Sequence, residues 1–166
     1  TSGLGKAIAL GLAAHGADTV GTGRRMEEAE QTRREVEALG RRSLAHPCDV
    51  SSRASIEGLR GAVLAALGRV DILVNAAGHT YRHPTATFPE EQWNSLLDTH
   101  LNGTLRACQA FHAALRSSGN GRVINIASLG SYVAFHEVAG YCAAKAGVLS
   151  LTRSLGCEWA KDGIRV

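Results

Sequence analysis

Residues 70–78 read VDILVNAAG. A short apolar run that ends in small residues is typical of a strand buried within a parallel sheet. A second run of this kind, RVINIAS, occupies residues 122–128. Helical patterns precede and follow both runs, so strand and helix alternate along the chain. This alternation predicts βαβ units, a parallel sheet and right-handed crossovers, with ligands at the carboxyl ends of the strands.

The remaining elements are predicted from the period of the apolar residues and from glycine and serine stop and start signals. Helices are expected over residues 3–15, from Met26 to Leu39 before Gly40, from Ser51 or Ser52 to Gly68, from the end of the 76–89 loop to Gly119, and from Tyr141 to Lys161. Further strands are expected over residues 17–22 and 43–48, and one begins at residues 163–166.

Composition excludes several classes of protein. The 166 residues include 18 Lys plus Arg and 15 Asp plus Glu, a net charge of +3, and 45% are hydrophobic. That length suits one domain, and the hydrophobic content is too high for a disordered chain. Arginine pairs between residues 24 and 42 alternate with glutamates, which indicates a solvated helix face and not a nucleic-acid surface.

The four cysteines form no CxxC motif and lie in apolar or strand-like segments. They are Cys48, Cys108, Cys142 and Cys157. We therefore expect buried thiols in a reducing compartment. No apolar run approaches the roughly 18 residues of a membrane span, and the first residues lack the pattern of a signal peptide. These features predict a soluble, cytoplasmic protein.

The chain opens with TSGLGKAIA, which places Gly3 and Gly5 at the head of a predicted helix. Free backbone N–H groups and the helix dipole at such a position favour a phosphate group. A glycine pair is equally common as a simple turn. Further motifs are therefore needed to choose between a phosphate loop and a turn.

Four such motifs follow in order: CDV at 48–50, NAAG at 75–78, Ser128 at the end of the second apolar run, and YCAAK at 141–145. Together with the opening TSGLG they resemble the short-chain dehydrogenase/reductase family over residues 1–166. The resemblance implies an α/β fold, a Rossmann-like doubly wound parallel sheet in three αβα layers, as a single domain. It also implies that a first strand precedes residue 1 and that strands and a substrate loop follow residue 166, so residues 1–166 alone are expected to fold poorly.

The resemblance implies a nicotinamide cofactor. Its expected contacts are Thr1, Ser2, Gly3, Leu4, Gly5, Asp49, Val50, Asn75, Ala76, Ala77, Gly78, Tyr141 and Lys145. Enzymes that use NAD place an acidic residue after the second strand, where this chain has Gly23 followed by Arg24 and Arg25. An arginine there neutralises a 2′-phosphate, so NADP(H) is favoured over NAD(H).

Reduction of a ketone needs a hydride donor and a proton donor near the carbonyl oxygen. The resemblance implies that Tyr141 gives the proton and that Ser128 hydrogen-bonds the substrate oxygen. Lys145 lies four residues after Tyr141, on the same helix face, where its ammonium stabilises a phenolate. In the family this lysine also holds the nicotinamide ribose.

One position departs from the family. Residues 98–103 read DTHLNG, so His100 stands where the pattern usually has an asparagine that holds a water on the proton path. Asn102 lies about 200° away on a regular helix and shares a face with Asp98 and Arg106, so it is not expected to substitute. His100 is expected to serve through its carbonyl or ring, with slower proton relay; the alternative is a core histidine that only packs.

The loop after NAAG contains His79, Arg82 and His83, and in the family this region approaches the substrate. Arg82 is suited to an acidic group on the substrate. His79 and His83 have the spacing of metal ligands, but no Cys or carboxylate lies near them and Pro84 argues against a helix, so no metal is expected.

The expected function is hydride transfer between NADP(H) and a ketone or secondary alcohol through Ser128, Tyr141 and Lys145. The segment CEWAKDGIRV, residues 157–166, resembles enzymes of sugar acids such as gluconate 5-dehydrogenases. The overall pattern also fits 3-oxoacyl-carrier-protein reductases, and a non-catalytic NADP(H)-binding protein is the rival from another class. The family's helix faces imply a homodimer or homotetramer, with neither nucleic acid nor membrane as partner.

Overall fold

The computed structural model describes residues 3–166. Two expected cofactor contacts, Thr1 and Ser2, therefore lie outside the described residues. The chain divides into two compact units, of which the first ends at Val70 and the second spans Asp71–Val166. Each unit contains its own helices and its own buried apolar residues.

The helices of the first unit are α1 (Gly3–Ala14), α2 (Met26–Ala38) and α3 (Arg53–Leu67). Local signals fix the ends of α3. The Ser52 hydroxyl accepts a hydrogen bond from the Ser55 N–H at 3.2 Å, and Gly68 ends the helix with a left-handed φ of 81°. Ser52 and Gly68 are thus confirmed as the start and stop of this helix.

The apolar faces of α2 and α3 are buried, as their periodicity predicts. The buried positions include Ala29, Val36, Ile56, Leu59 and Val63. Met26 and Leu39 were expected on the same face but are exposed, because they stand at the two ends of α2. A salt bridge of 2.6 Å between Lys6 and Glu35 joins α1 to α2.

The two strands predicted in the first unit are not formed as a ladder. Residues 17–22 and 43–48 are instead extended segments without strand assignment. They run parallel, since Thr19 N–H donates to the Arg42 carbonyl at 3.2 Å and Cys48 N–H to the Gly23 carbonyl at 2.9 Å. Two such bonds, so far apart along the segments, are too few for a regular pair of strands.

The second unit contains the predicted parallel sheet. Strands β1 (Ile72–Asn75) and β2 (Arg122–Asn125) pair in parallel, with Asn75 opposite Asn125. A parallel bridge between Arg122 and Arg165 places the start of a third strand where residues 163–166 predicted one. Ile72 and Ile124 were expected to be buried but are exposed, so one face of this sheet is only partly covered within the unit.

The long helix predicted after residue 89 is interrupted. It consists of α4 (Glu90–Leu97), a π-helical segment (Asp98–Asn102) and α5 (Gly103–Ser117). In the π segment the Gly103 N–H donates to the carbonyl of Asp98, five residues back. A uniform helix was therefore the wrong prediction at these five residues. Single π turns within α-helices occur frequently at functional sites.

The last long helix, α6 (Ala139–Trp159), begins two residues before Tyr141. Short 3₁₀ turns lie at Thr85–Thr87, Leu129–Ser131 and Ala160–Asp162. A Cβ atom on Gly140 would lie 2.9 Å from Leu96 Cδ1 and 3.2 Å from Trp93 Cε3. The missing side chain of Gly140 thus lets the start of α6 approach α4 closely.

The cysteines differ from expectation in part. Cys48 and Cys108 are buried, whereas Cys142 is half-buried and Cys157 is exposed on the last turns of α6. The expectation of uniformly buried thiols is wrong for Cys157, because its helix position faces solvent. Among residues 3–166, no helix combines the length and the apolar character that crossing a membrane requires.

Candidate active site

Tyr141 and Lys145 lie one helical turn apart on α6, with the Lys145 ammonium 5.9 Å from the centre of the Tyr141 ring. Lys145 is only 6% exposed. Its Nζ donates a hydrogen bond of 2.5 Å to the Ile126 carbonyl, just beyond β2. The lysine therefore bridges α6 and the carboxyl end of β2, where ligands of parallel sheets bind.

Burial lowers the pKa of the Lys145 ammonium, because removal from water disfavours the charged form. The Ile126 carbonyl offers the charge a dipole but no counter-ion. An ammonium can donate three hydrogen bonds, and one is used on Ile126. Lys145 is thus a buried cation with donors to spare for a polar ligand.

Ser128 stands at the junction of β2 and the turn Leu129–Ser131. Its Oγ accepts a hydrogen bond of 3.1 Å from the Gly130 N–H, which leaves the hydroxyl proton to donate elsewhere. A Cβ on Gly130 would lie 2.8 Å from the Cys142 sulfur, so this turn packs directly against α6 beside Tyr141. The three residues Ser128, Tyr141 and Lys145 therefore belong to adjoining parts of one unit.

His100 lies in the π segment and is 2% exposed. Its ring meets the Tyr141 ring edge-on, with centroids 5.3 Å apart. Its Nε2 lies 2.6 Å from the His79 carbonyl, a contact in which Nε2–H is the donor. Within the described residues, the other nitrogen, Nδ1, is buried without a hydrogen-bond partner.

The environment of His100 favours the neutral ring. Burial is the main cause that lowers the pKa of His100, and the charges of Lys145 and His79 act in the same direction. The Thr104 hydroxyl donates to the His100 carbonyl at 2.7 Å. This carbonyl lies where the π segment joins α5, and carbonyls inside a helix also accept backbone N–H groups, so Nδ1 of the ring is the acceptor of His100 that has no partner among the described residues.

The glycine of the NAAG motif fits against this histidine. A Cβ on Gly78 would lie 2.3 Å from Cε1 and 2.9 Å from Nδ1 of His100. Any side chain at position 78 would collide with the imidazole, so the loop after β1 can follow its path only as glycine.

Asn75 uses its side-chain amide within the sheet. Its Nδ2 donates to Oδ1 of Asn125 at 2.8 Å, and Asn125 donates in turn to the Thr152 hydroxyl at 2.9 Å. Neither Asn125 nor Thr152 belongs to a motif that the sequence singled out. The sequence did contain a signal for Asn125. Both strands end in asparagine, and the last residues of the two strands lie opposite each other in the parallel pair.

Asn102 is exposed and donates to Asp98 at 3.2 Å, and Arg106 donates to the same carboxylate at 2.7 Å. The expected alignment of these three residues is present, although the helix between them is not regular. His100 and Asn102 thus lie on different faces, one buried and the other in solvent.

The first unit carries the other expected cofactor contacts. α1 begins at Gly3, which has a φ of 61° and open space around its Cα, and the first turn contains no acidic residue. Leu4 is exposed and Gly5 lies in the same turn. Among the described residues, Gly3 thus leaves room beside the helix start and the first turn carries no carboxylate that would repel an anion.

The chain near residue 23 offers cations and one carboxylate. Arg24 and Arg25 are exposed, and Arg25 forms an ion pair with Glu28. The hydroxyl and N–H of Ser51, at 2.7 and 2.9 Å, lower the pKa of the Asp49 carboxyl, and the Arg24 charge lowers it further. Both bonds fall on Oδ1. Oδ2 of Asp49 thus remains an acceptor suited to an amino group.

The loop residues near the site are held by each other. Arg82 Nε lies 3.4 Å from the Glu137 carboxylate, and His79 contacts the Tyr81 ring at 5.1 Å between centroids. Because of this contact with Glu137, Arg82 already faces one carboxylate of the chain itself. Separately, among residues 3–166 no three His, Cys, Asp or Glu side chains come together as a metal site.

Comparison with known proteins identifies the family. The family model for short chain dehydrogenase matches residues 1–166. D-threitol dehydrogenase of Mycolicibacterium smegmatis is 37% identical over 99% of this chain and 64% of its own length. 2-Dehydro-3-deoxy-D-gluconate 5-dehydrogenase of Escherichia coli is 37% identical over 99% of this chain and 65% of its own length. The chain thus spans slightly less than two thirds of the length of these two relatives.

A solved structure of a short-chain oxidoreductase also resembles this chain. A metagenomic short-chain oxidoreductase in complex with NADP superposes with a TM-score of 0.93 at 34% identity, over 99% of this chain and 75% of that one. This similarity confirms the predicted α/β class and Rossmann-like fold. On the family model, the relatives and the fold together, the chain belongs to the short chain dehydrogenase family.

Proposed function

We propose that the protein transfers a hydride between NADP(H) and a ketone or secondary alcohol. The observation that carries the proposal is the buried Lys145, which is fixed to the Ile126 carbonyl and lies beside the Tyr141 ring. A buried cation without a carboxylate partner is costly for stability. Its retention next to a phenol is explained by proton transfer at that phenol.

In this proposal Tyr141 gives a proton to the substrate oxygen during reduction, or takes one during oxidation. Lys145 stabilises the charge left on the phenol oxygen and holds a ribose hydroxyl with its unused donors. The Ser128 proton, which is not needed for the contact with Gly130, donates to the same substrate oxygen. Charge that develops on that oxygen is thus met by two hydroxyl donors.

His100 takes part as the neighbour of Tyr141. Its Nδ1, which has no hydrogen-bond partner among the described residues, is the acceptor proposed to hold a water molecule on the path of the proton from Lys145 to solvent. The burial of the ring supports a neutral histidine in this role. We expect activity with a slower relay, and His100 counts with Ser128, Tyr141 and Lys145 as the proposed catalytic set.

Each unit carries residues suited to one part of a dinucleotide. The open start of α1 suits a pyrophosphate, and Oδ2 of Asp49 suits the adenine amino group. The loop from Asn75 to Gly78 follows the carboxyl end of β1, as expected for cofactor contacts. When bound, the nicotinamide supplies or accepts the hydride. The preference for NADP(H) rests on Arg24 and Arg25, and NAD(H) is the alternative.

Arg24 is the better candidate for a 2′-phosphate, because Arg25 is already paired with Glu28. Arg24→Ala is expected to raise the KM for NADPH by about tenfold and to leave the KM for NADH unchanged, since one charge-assisted contact is lost. Steady-state kinetics with both cofactors measures this. Arg25→Ala is the matched control; an equal effect of both substitutions, or of neither, contradicts the assignment.

The substrate class is proposed from the relatives. Two of them carry names of enzymes for a sugar alcohol and a sugar acid, which supports a polyol or sugar-acid substrate. Arg82 contacts Glu137 through Nε and is otherwise largely exposed, so its remaining N–H groups are proposed to hold the acid group of such a substrate. A 3-oxoacyl thioester is the second candidate. The faces of α5 and α6 are proposed to form a homodimer or homotetramer, as the family resemblance implies.

The test follows NADPH and NADH consumption by the full-length protein over sugar-acid and 3-oxoacyl ketones. Tyr141→Phe is expected to lower kcat by at least about 100-fold, the usual contribution of a positioned proton donor. Tyr132→Phe is the matched control, because that phenol belongs to the same unit and is 68% exposed. It should leave kcat within about twofold.

The opposite outcomes separate the rivals. Turnover that survives Tyr141→Phe would rule out the proposed proton donor. NADP(H) binding without turnover on any ketone would favour a non-catalytic binding protein, and His100→Asn would then be the variant to examine for gained activity.

A further inference from the structure

The hydroxyl of Ser131 joins the two elements that carry the proposed catalytic groups. Its Oγ accepts a hydrogen bond of 3.3 Å from the Ser128 N–H and donates one of 2.9 Å to the Lys145 carbonyl. One oxygen thus contacts the backbone of both Ser128 and Lys145. The motifs in the sequence did not single out Ser131.

The hydrogen bond from the Ser131 hydroxyl to α6 reaches a carbonyl in the interior of the helix. The Lys145 carbonyl lies inside the helix, where one lone pair is used by the N–H four residues ahead. Ser131 supplies a second donor from outside the helix. On the other side, the Ser131 hydroxyl satisfies a backbone N–H at the start of a 3₁₀ turn that otherwise has no helical partner.

Lys145 is consequently tied to the end of β2 at two points. Its side chain reaches the Ile126 carbonyl at 2.5 Å, and its backbone is held through Ser131. With both ends fixed, the ammonium has little freedom to shift along α6. Loss of the bridge would let the turn that carries Ser128 move relative to the helix that carries Tyr141 and Lys145.

We infer that Ser131 is a positioning residue for the proposed reaction: it sets the distance between Ser128 and Lys145 without touching the substrate. The inference rests on the proposed function. Its effect is expected in the chemical step and in proton transfer, because its two hydrogen bonds hold the backbone of Ser128 and Lys145 and leave the side chains of both residues to the reaction.

The experiment compares Ser131→Ala, Ser131→Thr and Ser154→Ala in the full-length protein. Ser131→Ala is expected to lower kcat about tenfold with KM within about twofold, and to move the midpoint of the pH profile of kcat. Ser131→Thr retains a hydroxyl and should restore kcat to within about threefold. Ser154, an exposed hydroxyl that bonds to the Ser150 carbonyl on the same helix, is the matched control and should change nothing.

A readout without turnover separates this inference from the proposed function. Hydrogen exchange of the Ser128 amide should be slow in the wild type and in Ser131→Thr, and at least about tenfold faster in Ser131→Ala, because its acceptor is removed. If no ketone is turned over, the proposed function fails, yet this measurement still decides the bridge. Unchanged amide exchange, or an unchanged kcat and pH profile, in folded Ser131→Ala overturns the inference. If the alanine variant does not fold, Ser131→Cys, which keeps the volume but has a weaker donor, is judged by the same criteria.

Discussion

A single buried histidine shows how one side chain organises its surroundings. His100 donates to the His79 carbonyl, meets the Tyr141 ring edge-on and excludes any side chain at position 78. A neutral imidazole can make all three contacts. The residue therefore acts both in packing and as the proposed neighbour of the proton donor.

The lowered pKa of His100 predicts acid sensitivity of the fold. The unfolded chain takes up a proton on this ring near the ordinary value of about 6.5, whereas the folded chain resists it until a lower pH. The contribution of the neutral His100 ring to the free energy of unfolding is therefore complete above the ordinary pKa. This contribution is lost as the pH falls through the lowered pKa of the folded state. Between pH 7 and 5, the free energy of unfolding should fall more for the wild type than for His100→Asn, measured by urea denaturation at each pH.

His136→Asn is the control for that measurement, because the His136 side chain is 80% exposed. It should retain the acid sensitivity of the wild type. The prediction is contradicted if His100→Asn and the wild type lose the same stability over this pH interval.

At the level of residues, much of the second unit's candidate site could be predicted. The four-residue spacing of Tyr141 and Lys145 places both on one helix face, and the apolar stripe correctly predicted a buried His100. Ser131 could not be found in this way, because its contacts join residues far apart in the sequence. A serine in a turn is ordinary until the tertiary structure brings the Lys145 carbonyl to it.

The start of α6 is fixed by two neighbouring contacts. Gly140 packs against Leu96 and Trp93 of α4, and the carbonyl of Glu137 accepts a hydrogen bond of 2.8 Å from the His83 N–H. Among residues 3–166, Glu137 is the one residue other than glycine with a positive φ, 62°. Such a conformation costs on the order of 1 kcal/mol and persists because the loop that holds it is constrained.

That strain predicts the effect of substitutions at the start of the element. Glu137→Val should lower the free energy of unfolding by about 1–2 kcal/mol relative to Glu137→Gly, because a β-branched residue is poorly tolerated at positive φ. The ion pair with Arg82 is exposed and contributes little. Urea denaturation of the two variants gives the difference.

The same pair of substitutions at His136, the preceding residue, is the control, since its φ is not positive. There valine should be at least as stable as glycine. Equal stability of the valine and glycine variants at position 137 would show that the left-handed conformation imposes no constraint.

The π segment illustrates what periodicity cannot predict about an element. Apolar residues at steps of three and four continue through Asp98–Asn102, so the pattern indicated one uninterrupted helix. The inserted turn depends on backbone hydrogen bonds and on packing of the His100 ring against Tyr141, neither of which is encoded in spacing. The buried face was predicted correctly even though the helical pitch was not.

In the molecule as a whole, the class of fold was predicted better than its sheet. The alternation of elements gave the α/β class, and the apolar runs gave β1 and β2 in parallel. Residues 17–22 and 43–48 have the composition of strands but share only isolated backbone bonds. Strand formation depends on partners as well as on composition, so local sequence overestimates the sheet in the first unit.

The fit of Gly78 against His100 also limits how the chain can diverge. A larger residue at position 78 is acceptable only after the imidazole has been replaced by something smaller, whereas a smaller residue at position 100 leaves glycine 78 harmless. The two substitutions therefore have a permitted order, and the reverse order passes through a clash at 2.3 Å. Within this protein's lineage, position 100 is expected to change first and position 78 to gain its freedom afterwards.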